Sequence, residues 1–250
     1  DALPIFSIGA TILSGLVTIY VDVPRQLGAQ FRSYGANMIL TGDDDVFLRE
    51  DVDAALKKIP AEEVVGVAPY RYETVRINDR PVLAAATDME GAKSTSPFWR
   101  VEGEWVQKDG EIMIGKNVAD TYRLRVGDRM TATFAPEDAD DETLDNDRNF
   151  TVTGILDTGG SEEDYVYMTF ADMEALTGTP TAYDVCDLSV SAASDRLSAY
   201  ADAISETTRS NAKLVKRVTQ SETTVLTKLQ ALVLLVTIVV LALTMICVGT

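Results

Sequence analysis

Several stretches of this sequence carry residue types that can do chemistry. GEIMIGKN (Gly110 to Asn117) comes within one residue of G-x-x-x-x-G-K-[ST], the loop whose backbone N–H groups cradle phosphates and whose hydroxyl holds Mg²⁺. Asn117 stands where that hydroxyl is required, and Glu-Ile-Met-Ile are strand formers rather than a flexible cradle. The expectation is a strand turning into a helix, with no nucleotide site. Glu137 to Asp147 holds seven carboxylates and no Lys or Arg. An EF-hand loop needs Gly at its sixth position and Glu at its twelfth. Counting from Asp138 places Thr143 at the sixth position, and counting from Asp145 places Phe150 there. A solvated loop is expected, and Asp43–Asp44–Asp45 reads as a charged turn of the same kind. Glu162, Glu163 and Asp164 could serve as acid and base, but no spacing singles one out, and the turn after Gly159–Gly160 accounts for them. Asn149–Phe150–Thr151 fits the short glycosylation pattern.

Composition removes most enzymatic options. There is no His, so the Ser-His-Asp triad, the commonest general base and the commonest metal ligand are all absent. Of the two cysteines, Cys186 lies mid-chain and Cys247 in an apolar end. Neither a disulfide framework nor a Cys-rich zinc site is expected. The net charge of −17 argues against nucleic acid, whose phosphates attract Lys and Arg, and against docking on anionic lipid. No catalytic, cofactor-binding or metal-ligating residue is assigned, and the chain is not expected to be an enzyme.

The elements that would carry these stretches alternate between strands and short helices. NMIL reads as a strand behind Gly35, a helix C-cap position. LREDVDAALKKI (Leu48 to Ile59) is an amphipathic helix with Val52, Leu56 and Ile59 on one face, ended by Pro60. VVGVAPYRYETVRIND reads as strand, bend, strand, and Asn78–Asp79–Arg80 turns into the strand PVLAAATDM. WRVEGEWV is a strand with Gly103 at its centre. EIMIGKNVADTYRLRVGDRMTATF gives strand, helix, strand. FTVTGILDTGGSEEDYVYMTF gives two strands across a Gly-Gly turn, and ADMEALTG a helix stopped by Gly178. DVCDLSVS is a strand, SDRLSAYADAISETT a helix with Ser194 as N-cap, and AKLVKRV the last strand. Roughly 200 residues of this kind make one sizeable domain or two small ones.

Both ends are apolar. Ala231 to Val248 is 18 residues without an Asp, Glu, Lys or Arg, and about 20 such residues span a ~30 Å hydrocarbon core. From the capping box Thr219–Gln220–Ser221–Glu222 nothing breaks the helix, so it forms a rod of roughly 46 Å that would also stand out of the bilayer. Ile5 to Val21 is 17 uncharged residues with no base before Arg25. This reads as the second half of a membrane helix rather than a signal peptide. Asp1 to Ile5 match a translated sequencing adaptor, and the chain reads as a fragment cut at both ends. The residues from Val21 to Tyr34 and from Thr219 to Lys228 read as stalks.

In this order, LGAQFRSYGANMIL, WRVEGEW, EIMIGKNVADTYRLRVGD, FTVTGILDTGG and TKLQALVLLVTIVVL resemble the permease subunits of the MacB/FtsX class of ABC transporters. The resemblance covers almost the whole chain. It implies an α+β, two-lobed extracytoplasmic domain flanked by transmembrane helices. Residues 1–24 would end the first helix, 25–222 form the core domain and 223–250 the stalk and start of the second helix. A mixed α/β lobe would span about 37–90 and 166–218, and a β-rich lobe about 91–165. The resemblance also implies a bacterial cytoplasmic-membrane location, a second permease copy and a cytoplasmic ABC ATPase partner holding ATP and Mg²⁺, with no cofactor in this chain. Membrane lipid and an extracytoplasmic protein are further expected partners. Two functions follow: a permease coupling ATP hydrolysis to outer-domain motion, or an FtsX-like scaffold that regulates an outer partner and transports nothing. Relatives move macrolides, peptides or haem, so the substrate is left open.

Overall fold

The computed structural model describes residues 35–42, 47–134 and 146–215. Residues Gly35–Leu214 form one compact unit. Its strands are β1 (Met38–Gly42), β2 (Val64–Ile77), β3 (Arg80–Thr87), β4 (Arg100–Gly103), β5 (Glu111–Gly115), β6 (Arg129–Phe134), β7 (Asn146–Asp157), β8 (Tyr165–Met168), β9 (Val185–Val190) and β10 (Ser210–Leu214). Its helices are α1 (Arg49–Leu56), α2 (Met89–Thr95), α3 (Lys116–Tyr122), α4 (Phe170–Thr177) and α5 (Ser194–Thr207). The strands make one mixed sheet in the order β10-β1-β9-β2-β3-β8-β5-β7-β4, with β6 pairing β2 and β7 off this path. A single sheet therefore runs through the segments expected for both lobes.

Local chemistry explains most of these elements. The β2–β3 hairpin closes on Asn78 and Asp79, at φ of 50° and 62°, the left-handed pair that a two-residue hairpin requires and that Asn and Asp tolerate. Helix α4 begins where Thr169 Oγ1 accepts the Asp172 N–H and stops at Gly178, in the left-handed region at φ 72°. Helix α1 ends at Leu56, a turn short of the expected Ile59, yet Ile59 is still buried in the same cluster. The N-cap position of α5 belongs to Ala193, and Ser194 is its first helical residue. That displaces the expected cap by one position.

The expected bend in the segment around Pro69 is not there. β2 is one strand of 14 residues. Pro69 sits in register with Cys186 of β9, and its carbonyl accepts a hydrogen bond from Thr87 Oγ1 at 2.8 Å. In a strand a residue's N–H and C=O point to the same side. The missing N–H of Pro69 thus faces the side where β3 has just ended at Thr87, so no ladder bond is lost. Conversely β4 is shorter than expected, ending at Gly103 rather than running through it. Gly103 has φ 90°, and a Cβ there would lie 2.4 Å from the Thr153 carbonyl oxygen.

Apolar side chains separate by strand face. Met38, Leu40, Cys186, Leu188 and Val190 pack under α1 and α5 with Val52, Leu197 and Ile204. Val75, Ile77, Ile112, Ile114, Phe150 and Val152 form a second cluster with α3 and α4 residues Val118, Met173 and Leu176. The third gathers Tyr70, Ala85, Met113, Leu156 and Tyr167 with Met89 of α2. Among the described residues no helix is long and apolar enough to cross a membrane. The apolar stretches Ile5 to Val21 and Ala231 to Val248, and both stalks, lie outside those residues.

Helix α2 takes over the side of β2 that β3 vacates, and it can do so only because residue 91 has no side chain. A Cβ on Gly91 would sit 2.1 Å from the Val67 carbonyl oxygen, which is backbone and cannot swing away. Gly91→Ala is expected to lower stability by about 1–3 kcal/mol through overpacking. A urea titration would show this as a reduced midpoint at unchanged slope.

Candidate functional site

A cleft of about 910 Å³ opens in the described domain. Helix α1 contributes Val52 and Leu56 to its apolar surface, β2 contributes Val67 and Pro69, and α2 contributes Met89. Phe170, the first residue of α4, and Tyr183, just before β9, add two aromatic rings. Those rings are 5.2 Å apart and tilted by 48°, and Tyr183 meets Phe47 edge-on at 6.2 Å. The backbone holds Tyr183 in place: its N–H donates to the Phe47 carbonyl at 2.7 Å. Burial raises the Tyr183 phenol above its usual range, with Asp53 and Asp88 among the anions that add to the effect and Arg49 opposing it.

Charged side chains edge the cleft. Arg49 and Asp53 pair along α1 at 4.0 Å, and Lys93 and Glu90 pair along α2 at 2.6 Å. Asp88 caps α2, accepting the Glu90 N–H at 3.3 Å. The Lys93 ammonium also lies 5.4 Å from the centroid of the Trp105 ring. From there a row of aromatic rings crosses the sheet. Trp105 stacks on Trp99 at 5.8 Å, and Trp99 meets Tyr167 edge-on at 5.1 Å. Tyr167 leads to Tyr165 at 6.3 Å, Tyr165 to Tyr72 at 6.0 Å, and Tyr72 to Tyr70 at 6.0 Å. Their desolvation raises the Tyr70, Tyr72 and Tyr167 phenols well above the ordinary range. These are neutral rings at any working pH.

Asp187 of β9 lies near the Tyr70 and Tyr72 end of that row, opposite Ile39 of β1 and Ala68 of β2. Burial pushes its carboxyl up to about 6. The neighbouring Cys186 points to the other face, where burial first and Asp187 second push its thiol up to about 12. A thiol so protonated is an inert core residue rather than a nucleophile.

Two of the stretches flagged by their chemistry, GEIMIGKN and Glu162–Asp164, are engaged within the fold. GEIMIGKN runs straight from β5 into α3. No room for phosphate remains at the second glycine, because a Cβ on Gly115 would lie 2.0 Å from the Glu163 carbonyl oxygen. Lys116 pairs with Asp157 at 2.6 Å, and Asn117 Nδ2 donates to Asp164 at 2.8 Å. The three acids of the Gly-Gly turn are likewise engaged. Buried Glu163 accepts the N–H groups of Thr158 and Gly159 at 2.7 and 2.5 Å, and the Glu162 carbonyl accepts the Tyr167 hydroxyl at 2.9 Å. Asp147 accepts from Thr133 Oγ1 at 2.6 Å, and Asn149 from Thr131 Oγ1 at 2.8 Å. Asp43–Asp45, residues 137–145 and Cys247 lie outside the described residues.

Besides Asp187, Arg71 and Asp172 are buried charges that the sequence did not single out. Arg71 of β2 reaches the loop after α4, donating to the carbonyls of Thr179 and Pro180 at 3.2 Å each and to Glu73 at 2.7 Å. Asp172 of α4 has a fully buried side chain, accepts the Gly110 N–H at 2.8 Å and stands 3.7 Å from Arg148. Burial raises its carboxyl above the usual range, against those hydrogen bonds. Both staple loops to the sheet. A period-two aromatic pattern at 70/72 and 165/167 was the one signal in the sequence for the ring row, but nothing in it placed β2 two strands from β8.

The fold has a counterpart. A family model of the MacB-like periplasmic core domain matches residues 5–207. The chain belongs to this family. The periplasmic region of MacB from Actinobacillus actinomycetemcomitans has the same fold, with a TM-score of 0.52 at 8% identity over 76% of this chain and 94% of that one. The extracellular domain of the noncanonic ABC-type transporter YknZ from Gram-positive bacteria aligns with a TM-score of 0.48 at 14% identity, over 72% of this chain and 99% of that one. No curated protein sequence matches the chain. The MacB-like periplasmic core domain is a noncatalytic, permease-type module of ABC-transporter membrane proteins, a family that implies an ATPase partner and dimerisation.

The buried carboxyl of Asp187 gives this MacB-like domain a pH-dependent stability. Its folded value, about 6, exceeds the reference 3.8, so ionisation penalises the folded state. The penalty is absent below the unfolded value, grows as pH rises and is complete above the folded value. Asp187→Asn is expected to stabilise the domain at pH 7 by on the order of 2–3 kcal/mol and to have little effect at pH 3.5. Chemical denaturation at the two pH values measures the difference.

Proposed function

We propose that this chain is part of a permease subunit of the MacB/FtsX class, which couples ATP hydrolysis in a cytoplasmic partner to motion of the domain described above. The carrying observation is the family match. It begins at residue 5, inside the first uncharged stretch, and extends through the domain to residue 207, ahead of a second apolar stretch. A folded module between two such stretches suits a part that stands outside a bacterial cytoplasmic membrane on two helical stalks. The stalks would carry motion across the bilayer between the domain and the nucleotide-binding partner. ATP and Mg²⁺ belong to that partner, and a second permease copy completes the assembly. The acidic surface is suited to aqueous exposure and needs no cofactor of its own.

The test begins with the gene. Its frame is expected to continue through two further apolar spans, and a fused or adjacent frame to encode an intact G-x-x-x-x-G-K-[ST] ATPase. Co-expression of the two should yield a complex whose ATPase rate in nanodiscs falls when Thr219–Lys228 is replaced by a flexible Gly-Ser linker. A frame without an ATPase beside it, or an ATPase rate indifferent to the stalk, would overturn the permease reading. An intact complex that hydrolyses ATP and moves the outer domain without moving any substrate would instead favour the regulatory, FtsX-like role.

A further inference from the structure

We propose that the cleft edged by α1 and α2 is a binding site for an organic cation with an apolar body, such as an arylalkylammonium. The site does not depend on the transport reading. Its size of about 910 Å³ falls within the range of ligand pockets, roughly 300–1,000 Å³. Its surface supplies the two things such a ligand needs. Val52, Leu56, Val67, Pro69 and Met89 offer apolar contact, and the Phe170 and Tyr183 rings offer faces on which a cation is attracted.

The charge balance decides the sign of the ligand. Five charged side chains border the cleft: Arg49, Asp53, Asp88, Glu90 and Lys93. Arg49 is paired with Asp53 and Lys93 with Glu90. Asp88 is left with no cationic partner among the described residues, and it is exposed. Its charge is felt at the Tyr183 phenol, as is that of Asp53. An incoming ammonium thus finds, beside two aromatic rings, one carboxylate that has only the α2 backbone and no cationic side chain as its partner. An incoming carboxylate finds both bordering cations already engaged.

The site contains its own reporter. The chain has two tryptophans, and they are stacked on each other with Lys93, a cleft residue, over Trp105. An occupant that shifts Lys93 changes the field at Trp105, so intrinsic fluorescence reads occupancy without a label.

The experiment titrates the full chain, in nanodiscs of uncharged lipid, with 4-phenylbutylammonium and with 5-phenylpentanoate, which share an apolar body and differ in charge. The expected result is a saturable fluorescence change with the ammonium and none with the carboxylate. Asp88→Asn should weaken the ammonium about three- to fivefold, the size of a solvent-accessible ion pair, and the wild-type affinity should fall with added salt. Asn is also a good helix N-cap, so this variant keeps α2, and an unchanged melting temperature would verify it. Phe170→Leu, which retains apolar bulk but removes the ring, should cost about two- to fivefold. Equal response to both compounds, no saturable response to the ammonium, or an affinity unmoved by Asp88→Asn would overturn the assignment. None of these results bears on ATP coupling, which is measured with the partner ATPase present.

Discussion

Strand β2 is the member on which the other elements depend. It is 14 residues long and changes neighbours along its length. Val64 to Tyr70 pair with β9, and Tyr70 to Ile77 pair with β3. Its odd-numbered side chains consequently serve two cores: Val67 packs toward the α1–α5 cluster and Val75 and Ile77 toward the α3–α4 cluster. Near the crossover Pro69 removes an N–H on the side that β3 has left, and α2 fills that side through the bare backbone of Gly91. The cleft is a consequence, because a helix now stands where a strand would have continued, and its Met89 and Lys93 line the cleft together with Val52 and Leu56 of α1.

Buried charge in this domain holds loops and turns in place. Arg71 ties β2 to the turn between α4 and β9 through two carbonyls and a hydroxyl, while its charge is paired with Glu73 of β2 itself. Asp172 ties the start of α4 to Gly110, ahead of β5, and Glu163 closes the Gly-Gly turn through two backbone N–H groups. Each is hydrogen-bonded to backbone groups, which offsets part of the desolvation of a buried charge. Asp187 differs. It is desolvated beside tyrosines and no described cation answers it, so its cost falls on stability above its ionisation range.

The motif that looked most like chemistry shows why spacing alone misleads. GEIMIGKN has the glycines and lysine of a phosphate cradle, but its first glycine donates to Asp172 and its second is closed off by the Glu163 backbone. The lysine is spent on Asp157. A real cradle needs its N–H groups free and convergent, a property of loop conformation that the residue pattern does not carry. Conversely the aromatic row is assembled from positions that are unremarkable one by one. Only cross-strand proximity makes a line of Trp105, Trp99, Tyr167, Tyr165 and Tyr72.

The alternation of apolar and polar residues was enough to locate nearly every strand and helix, because side-chain direction repeats every two residues in a strand and every 3.6 in a helix. Turn chemistry located the β2–β3 hairpin and the end of α4, since left-handed backbone at Asn78, Asp79 and Gly178 is a local steric matter. The absence of His and the acidic balance were equally local, and they ruled out whole classes of activity. What periodicity states is which face a residue occupies, not which strand lies beside it. The parallel pairing of β3 with β8, the insertion of β1 between β9 and β10, and the handover along β2 are contacts between residues far apart in sequence. They were decided by which apolar faces could be buried together, and so the cleft, the aromatic row and the isolated Asp187 came into being only with the tertiary structure.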